Sequence, residues 1–318
     1  MEAISNERAA LPGLNALISH GRRVFKRLAR RDWRQAPISV ARRLLNPLPD
    51  RVYLTLGHLA YFHRWPNFHE PRTINEHIQE YMLRCRDPLL RLVADKVQCR
   101  EYIAANAGPE YLVPLLGVWD DHAKVPLETL ARPCVLKPTA ASGAVLFLRA
   151  GEAVDLYEVR REMRRWLKRD YSRLHREWCY AGLPRRLMAE TMLLDASGET
   201  APLDYKAYVI GGAVRYIQVD RGRFTHHTRN MYYPDWSLMP ARWSLKTHPP
   251  DPAPPRLADM VAMAEHLARP FEFMRVDLYA IGDRIYVGEL TNYPGAGFEK
   301  FIPRKYAYVT GALWRRRD

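Results

Sequence analysis

"RVDLYAIGDRIYVGELTNYPGAG", residues 275–297, holds two short runs of alternating apolar residues around a Gly-Asp turn. Val276, Leu278 and Ala280 alternate in the first run, and Ile285 and Val287 in the second. The spacing predicts a β-hairpin turning at Gly282-Asp283. A three-residue loop, Gly282 to Arg284, would set Asp277 directly opposite Glu289, with Cβ atoms about 5 Å apart. Like charges repel there, and a divalent cation between them would turn repulsion into attraction. A two-residue turn would instead put the carboxylates on opposite faces. Both registers are open from the residues alone.

The 318-residue chain is long enough for a large core and two or three subdomains. No apolar run reaches the roughly 18–20 residues of a membrane span, and the first 25 residues lack the basic-then-apolar order of a signal peptide. Cys85, Cys99, Cys134 and Cys179 are scattered without a Cys-x-x-Cys pair. Buried free thiols in a reducing compartment are expected, hence a cytoplasmic location, with zinc disfavoured. The formal charge of +14 is carried largely by arginine, which suits phosphate and carboxylate recognition. Nucleic acid is the generic partner of such a charge, yet no helix-turn-helix, zinc-finger or RNP pattern is present, so no nucleic acid is expected. Anionic small molecules, glycans and lipid heads remain equal candidates.

Residues 17–31, "LISHGRRVFKRLARR", form a basic amphipathic helical pattern. It fits peripheral contact with an anionic membrane and equally a helix docked on its own domain. Thr73 and Glu76 make a capping box for a helix over 73–84, and a second helix is expected from about Leu89 to Asn106. Strands are expected at 111–119, 133–149, 186–194, 203–210 and 213–220, and helices at 155–169 and 257–269. Residues 221–236 are expected as a basic, aromatic loop and 247–256 as a proline-rich surface connection. Strands dominate the middle with helices interspersed, so the class is α+β.

Several residues stand out chemically. Lys137 ends a strand before the small-residue loop 139–143, compact enough for backbone amides to approach a phosphate, although a plain hairpin explains it too. Lys96 starts a helix. Glu190 interrupts an apolar strand, which is costly unless it is paired. Asp204 and Lys206, two apart, share a strand face. His226 and His227 point to opposite sides of an extended chain, so one metal would not take both. Arg221, Arg223, His226 and Arg229, with Arg215, suggest a surface for an acidic acceptor, or a solvated loop.

Taken in order, "DK" at Lys96, "VLKP" at Lys137, Glu190, "RVD" and "GELTNYPGAG" resemble an ATP-grasp ligase of the D-alanine–D-alanine ligase type. "PRTINE", "DYKAYV", "VRYIQVDRGRFTHHTRNMY" and "GELTNYPGAGFEKF" are similar to the TupA-like branch, found in polysaccharide biosynthesis loci. The resemblance covers roughly residues 50–314. It rests on the series and not on any single motif.

The resemblance implies two α+β subdomains clasping ATP: a basic, mainly helical region at 1–90, a first subdomain at 91–189 and a second at 190–318. It implies ATP phosphates on Lys96 and Lys137 under a loop with Ser142 and Gly143. It implies adenine at Glu190 and the backbone of Met192 and Leu193, with Asp204 and Lys206 lining the cleft. Mg²⁺ would be held by Asp277 and Glu289. Arg275 would stabilise the transferred phosphoryl group, with Lys206 and Arg229 as further catalytic candidates. Where many relatives carry a metal-binding Asn two residues after the Glu, this chain has Thr291 and then Asn292, and either could fill the place. The expected reaction joins an acidic glycan or nucleotide-sugar carboxylate to a small amine. A sugar phosphotransferase and a basic nucleic-acid-binding protein are the competing readings.

Overall fold

The computed structural model describes residues 47–195, 202–222 and 226–316. The basic segment 17–31 and Arg223 lie outside them. The chain divides after Pro49, and Asp50–Asp318 makes one unit.

The unit opens with helices α1 (Asp50–Phe62) and α2 (Ile74–Arg84). The capping box expected from "TINE" is present, and Glu76 also accepts from the backbone N–H groups of Arg72 and Asn67 and from Arg64. The single helix expected at 89–106 is two, α3 (Pro88–Ala94) and α4 (Lys96–Asn106). Asp95 breaks it. With extended ψ of 118° it ends α3, while its carboxylate accepts from the amides of Val97 and Gln98 and starts α4. Arg186, 3.1 Å away, neutralises the buried Asp95 carboxylate. The break re-aims the chain and places Lys96 at the first turn of α4.

A four-stranded antiparallel sheet follows, built from β1 (Leu115–Trp119), β2 (Cys134–Pro138), β3 (Leu146–Leu148) and β4 (Leu187–Thr191) in the order β1-β4-β2-β3. Between β3 and β4 the chain forms α5 (Leu156–Lys168) and the short α6 (Ser172–His175). Val159, Met163 and Trp166 of α5 bury against Cys134, Leu136 and Leu187 of this sheet. The opposite face of the sheet is left for Lys137 and Glu190.

The second sheet uses β5 (Asp204–Ile210), β6 (Ala213–Arg221) and β7 (Thr228–Tyr232). After the short β8 (Arg242–Trp243) and helix α7 (Leu257–Ala268), it is completed by β9 (Phe273–Ile281) and β10 (Arg284–Thr291). The order is β10-β9-β5-β6-β7, all antiparallel. The strand β11 (Phe301–Ile302) pairs with β8, and α8 (Lys305–Gly311) follows. Because strand residues alternate, Ala207, Ile217, Val276 and Leu278 face one way and their polar neighbours the other.

One more expectation is corrected. The segment 221–236 is not all loop, since Thr228–Tyr232 is a buried edge strand. Its polar residues disguise it: Arg229 and Asn230 are buried but hydrogen-bonded, so the hydrophobic alternation that signals a strand is missing. The connection 247–256 is pinned by the buried Asp251, which accepts from Arg221, His248 and Tyr232. Among the described residues no helix is long and apolar enough to cross a membrane. The four cysteines are free, three of them buried and Cys85 half-buried.

Candidate functional site

The opening hairpin has the turn that would separate the two carboxylates, and yet it brings them together. Ile281 pairs with Arg284, so the turn is the two-residue Gly282-Asp283. The register then slips between Val287 and Glu289, and Glu289 comes opposite Asp277. Gly288 is the extra residue of a β-bulge. A Cβ there would lie 2.9 Å from the Tyr279 ring, so the bulge packs closest where a glycine stands.

Across the five strands one face of the sheet is a continuous polar field. Thr291 and Glu289 on β10 neighbour Arg275 and Asp277 on β9. Asp277 is opposite Lys206 of β5, Lys206 is opposite Gln218 of β6, and Asp204 is opposite Asp220. Asp220 in turn faces Arg229 of β7. Arg275 clamps Asp277 with two bonds of 2.6 and 2.8 Å and reaches Thr291 Oγ1 at 3.0 Å and Glu289 at 3.4 Å. Lys206 is buried between Asp204 and Asp277, 3.0 Å from the latter. Arg229 pairs with Asp220 at 2.7 Å and Glu299 at 2.8 Å.

The facing groups come from the first sheet and α4. The Lys96 ammonium bonds the Ala141 carbonyl in the small loop and lies 3.8 Å from Glu289. The Lys96 amide donates to Thr139, at the root of that loop. Glu190, buried, holds Lys137 with one oxygen and Arg100 with the other, the latter at 2.6 Å. Ser142 and Gly143 stand exposed at the loop tip, Gly143 at φ +74° with open space where a Cβ would be. Lys96, Arg100, Ser142, Tyr180, Glu289 and Thr291 line a cavity of about 20 Å³. That is room for about one water.

Charge balance shows what this cleft lacks. Burial pushes the Glu289 carboxyl up, but Lys96, Arg275, Lys137 and Lys206 outweigh it and hold it at about 2. Burial lowers the Lys96 ammonium; Glu289 pulls it back and Lys137 lowers it further. Two ammonium groups beside a small-residue loop suit a polyanion.

Of the residues singled out in the sequence, the fold gathers Lys96, Lys137, Glu190, Asp204, Lys206, Arg275, Asp277, Glu289 and Thr291 around this cleft. Asn292 is turned away: next to Thr291 on the strand, it donates instead to the Leu90 carbonyl at 2.7 Å. That leaves Thr291, and not Asn292, beside Glu289. Met192 and Leu193 follow β4, with the Met192 amide committed to the Pro133 carbonyl. The cations of 221–229 are largely spoken for: Arg221 pairs with Asp251 at 2.5 Å, and His227 lies 3.4 Å from Asp220. Arg215 is the extra residue of the β5–β6 bulge, its guanidinium bonded to the Ile210 carbonyl.

Sequence reasoning missed Arg100, Asp220, Tyr180, Glu177 and Glu299. Arg100 had a signal, standing one helical turn after Lys96 and hence on the same face. Tyr180 and Glu177 had none, because a loop between the sheets brings them in. Glu177 is buried, and burial raises its carboxyl to about 8, with Arg275 pulling it back. The folded chain therefore keeps a proton that the unfolded chain gives up near the ordinary carboxyl value. The stability this contributes is full below about 4.5 and lost as pH rises through about 8. Glu177→Gln, neutral at every pH, should gain on the native chain as pH climbs from 5 to 8.5, read by urea unfolding at both values. A difference independent of pH would show that Glu177 is ionised in the fold.

The family model described as TupA-like ATPgrasp matches residues 76–315. The chain belongs to this family, and its α+β architecture is the ATP-grasp fold. No curated protein matches it by sequence. Among solved structures it is similar to an L-amino acid ligase from Bacillus licheniformis, at 13% identity and TM-score 0.42, covering 77% of this chain and 55% of that one. It is similar to D-alanine–D-alanine ligase from Bacillus anthracis at 14% identity and TM-score 0.40, covering 69% and 63%. A third is the ATP-grasp ligase PsnB complexed with a phosphomimetic variant of a minimal precursor, Mg and ADP, at 14% identity and TM-score 0.35, covering 64% and 52%. The chain thus spans between 52% and 63% of the length of these three.

Proposed function

We propose that the chain is an ATP-dependent carboxylate–amine ligase. The observation that carries the reading is the cross-strand pair Asp277–Glu289, flanked by Arg275 and faced by Lys96 from α4 and Lys137 from the other sheet. The sheet of β1 to β4 with α4, and the sheet of β5 to β7, β9 and β10, would be the two halves of the clasp, so the boundary expected between 189 and 190 would move past the end of β4 at Thr191. Lys96 and Lys137 would hold the nucleotide phosphates, the loop with Ser142 and Gly143 would close over them, and Glu190 with the strand end at Met192 and Leu193 would receive the base.

Asp277, Glu289 and Thr291 present hard oxygen donors on one surface, which fits Mg²⁺, an ion that takes one or two carboxylates and completes its shell with phosphate and water. When bound, the ion would neutralise phosphate charge against an incoming anion. Arg275 would meet the equatorial oxygens of the transferred phosphoryl group, where charge develops. A substrate carboxylate oxygen attacks the γ-phosphorus and ADP leaves. The amine then attacks the acyl carbon, loses a proton and expels phosphate, leaving an amide. Lys206 and Arg229, each held between two carboxylates, would position the acids of the polar face and not touch the reacting atoms. Asp204 would act through Lys206.

The TupA-like membership supports a place in surface polysaccharide biosynthesis, with a uronic acid on a glycan or nucleotide sugar as the acid and a small amino compound as the amine. With ATP, Mg²⁺, glucuronate and hydroxylamine, the chain should release ADP and phosphate in equal amounts and form a hydroxamate. A stable phosphorylated sugar with no free phosphate would overturn the ligase reading in favour of a phosphotransferase.

A further inference from the structure

Away from the nucleotide cleft, a groove of about 150 Å³ is lined by His58, Phe62, Arg64, Asn75, Lys300 and Arg304, among others. It is walled by α1, the start of α2, β11 and the cap of α8, joining the two ends of the described chain.

Its lining carries three cations and no carboxylate. Arg64 is spent on Glu76, at 2.9 Å, and on the Tyr308 hydroxyl. The other two are free. Neither Lys300 nor Arg304 has a carboxylate within 4.0 Å among the described residues. The Lys300 ammonium instead lies over the rings of Tyr61 at 4.4 Å and Phe62 at 5.8 Å, and Arg304 over Tyr308 at 5.8 Å. The neighbouring carboxylate that could have neutralised Lys300, Glu299, is turned to Arg229 at 2.8 Å.

The groove also offers an acceptor. His58 Nδ1 is 2.7 Å from Gln79 Oε1, while the Gln79 amide nitrogen faces the Ala296 carbonyl. A bond to an amide oxygen requires the proton on Nδ1, which leaves Nε2 with a lone pair. Burial lowers His58 and keeps the ring neutral. Phe62, stacked on Phe298 at 6.4 Å, adds an apolar ring to the lining, with Tyr61 edge-on behind it. Two unpaired cations, a hydroxyl acceptor and aromatic rings together describe the surface of a small hydroxylated anion.

The groove is tied to the cleft through the chain. Thr291 ends β10, and ten residues later Phe301 forms the groove wall. Between them, Asn75 holds the carbonyls of Gly297 and Glu299 at 2.8 and 2.7 Å, and Glu299 reaches back to Arg229 on the polar face.

We infer that this groove, with Lys300 and Arg304, is a binding site for the anionic group, carboxylate or phosphate, of a small hydroxylated molecule. That the molecule is the ligase's acid substrate rests on the proposed function; that the groove binds the anion does not.

The test titrates the full chain with D-glucuronate, glucose 1-phosphate and glucose by calorimetry, with the non-hydrolysable ATP analogue AMP-PNP measured in parallel. At least one anion should bind ten times or more tightly than glucose, and which of them binds names the group. The Lys300→Gln/Arg304→Gln double variant should weaken the anion tenfold or more with AMP-PNP affinity unchanged. Arg304→Gln alone, at an exposed cap, should weaken it in the same direction and guards against misfolding of the pair. Anion binding that survives both substitutions, that equals glucose, or that is absent for both anions overturns the site. A wrong ligase reading would instead show as a failed hydroxamate assay with the groove binding intact.

Discussion

Glu289→Gln should lower ATP turnover by roughly a hundred- to a thousandfold while leaving the fold intact, the scale of losing one preorganised charge at a phosphoryl-transfer site. The substitution keeps volume and removes charge. The contacts of Glu289 with Lys96 at 3.8 Å and Arg275 at 3.4 Å are long, so its neutralisation should cost less stability than that of Asp277. Asp277→Asn should lose as much turnover and be destabilised as well. Asp277 is buried, takes two bonds from Arg275 and pairs with Lys206, so neutralising it leaves the buried Lys206 with Asp204 alone and Arg275 with only its longer contact to Glu289. Breaking such a cluster from one side typically costs about 3–5 kcal/mol. Single-turnover ATP assays and denaturant unfolding of the two variants separate the effects. Turnover like that of the native chain in Glu289→Gln would remove the metal assignment.

Lys206→Met should destabilise the fold on the same scale, by about 3–5 kcal/mol at neutral pH. Lys206 is 3% exposed and lies between Asp204 and Asp277. Methionine fills the volume and leaves two buried carboxylates facing one another. Two outcomes follow from that cause and not from lost packing. The deficit should shrink as pH falls, because one carboxylate can take up a proton. Adding Asp204→Asn should restore part of the stability, because it removes one of the two charges. Urea unfolding at pH 5 and 8 for the single and double variants reads both. A deficit that ignores pH and the second substitution would mean that the lysine acts as packing alone.

Both expectations turn on how side chains from distant strands meet, and that is where the sequence becomes illegible. The motif series Lys96, Lys137, Glu190 and "RVD…GEL" was legible through its order along the chain, with Lys96 at a helix start and Lys137 and Glu190 near strand ends. The capping box at Thr73 and Glu76 was legible as a bond between residues three apart. Strand β7 was not. Its Arg229 and Asn230 are satisfied chiefly by Asp220, Glu299 and the carbonyls of Trp243, His248 and Pro249, partners 9 to 70 positions away. Local polarity therefore pointed to a loop.

The sequence by itself determined the α+β class through short-range periodicity, and the order of its motifs carried the family resemblance and many of the charged residues of the cleft, though not Arg100 or Asp220. The tertiary structure decided the register that makes the set a site. A two-residue turn alone would have sent Asp277 and Glu289 to opposite faces, and the bulge at Gly288 restores them. Whether an added residue is absorbed as a bulge or slips the whole strand depends on what the rest of the sheet buries, with β9 held on its other side by β5 through Lys206 and Asp277. The same holds for Thr291 over Asn292, and for the free charge of Lys300, which exists because Glu299 is engaged elsewhere by Arg229. Pairing among buried charges is settled by distances across the sheet, and those are absent from the order of residues along the chain.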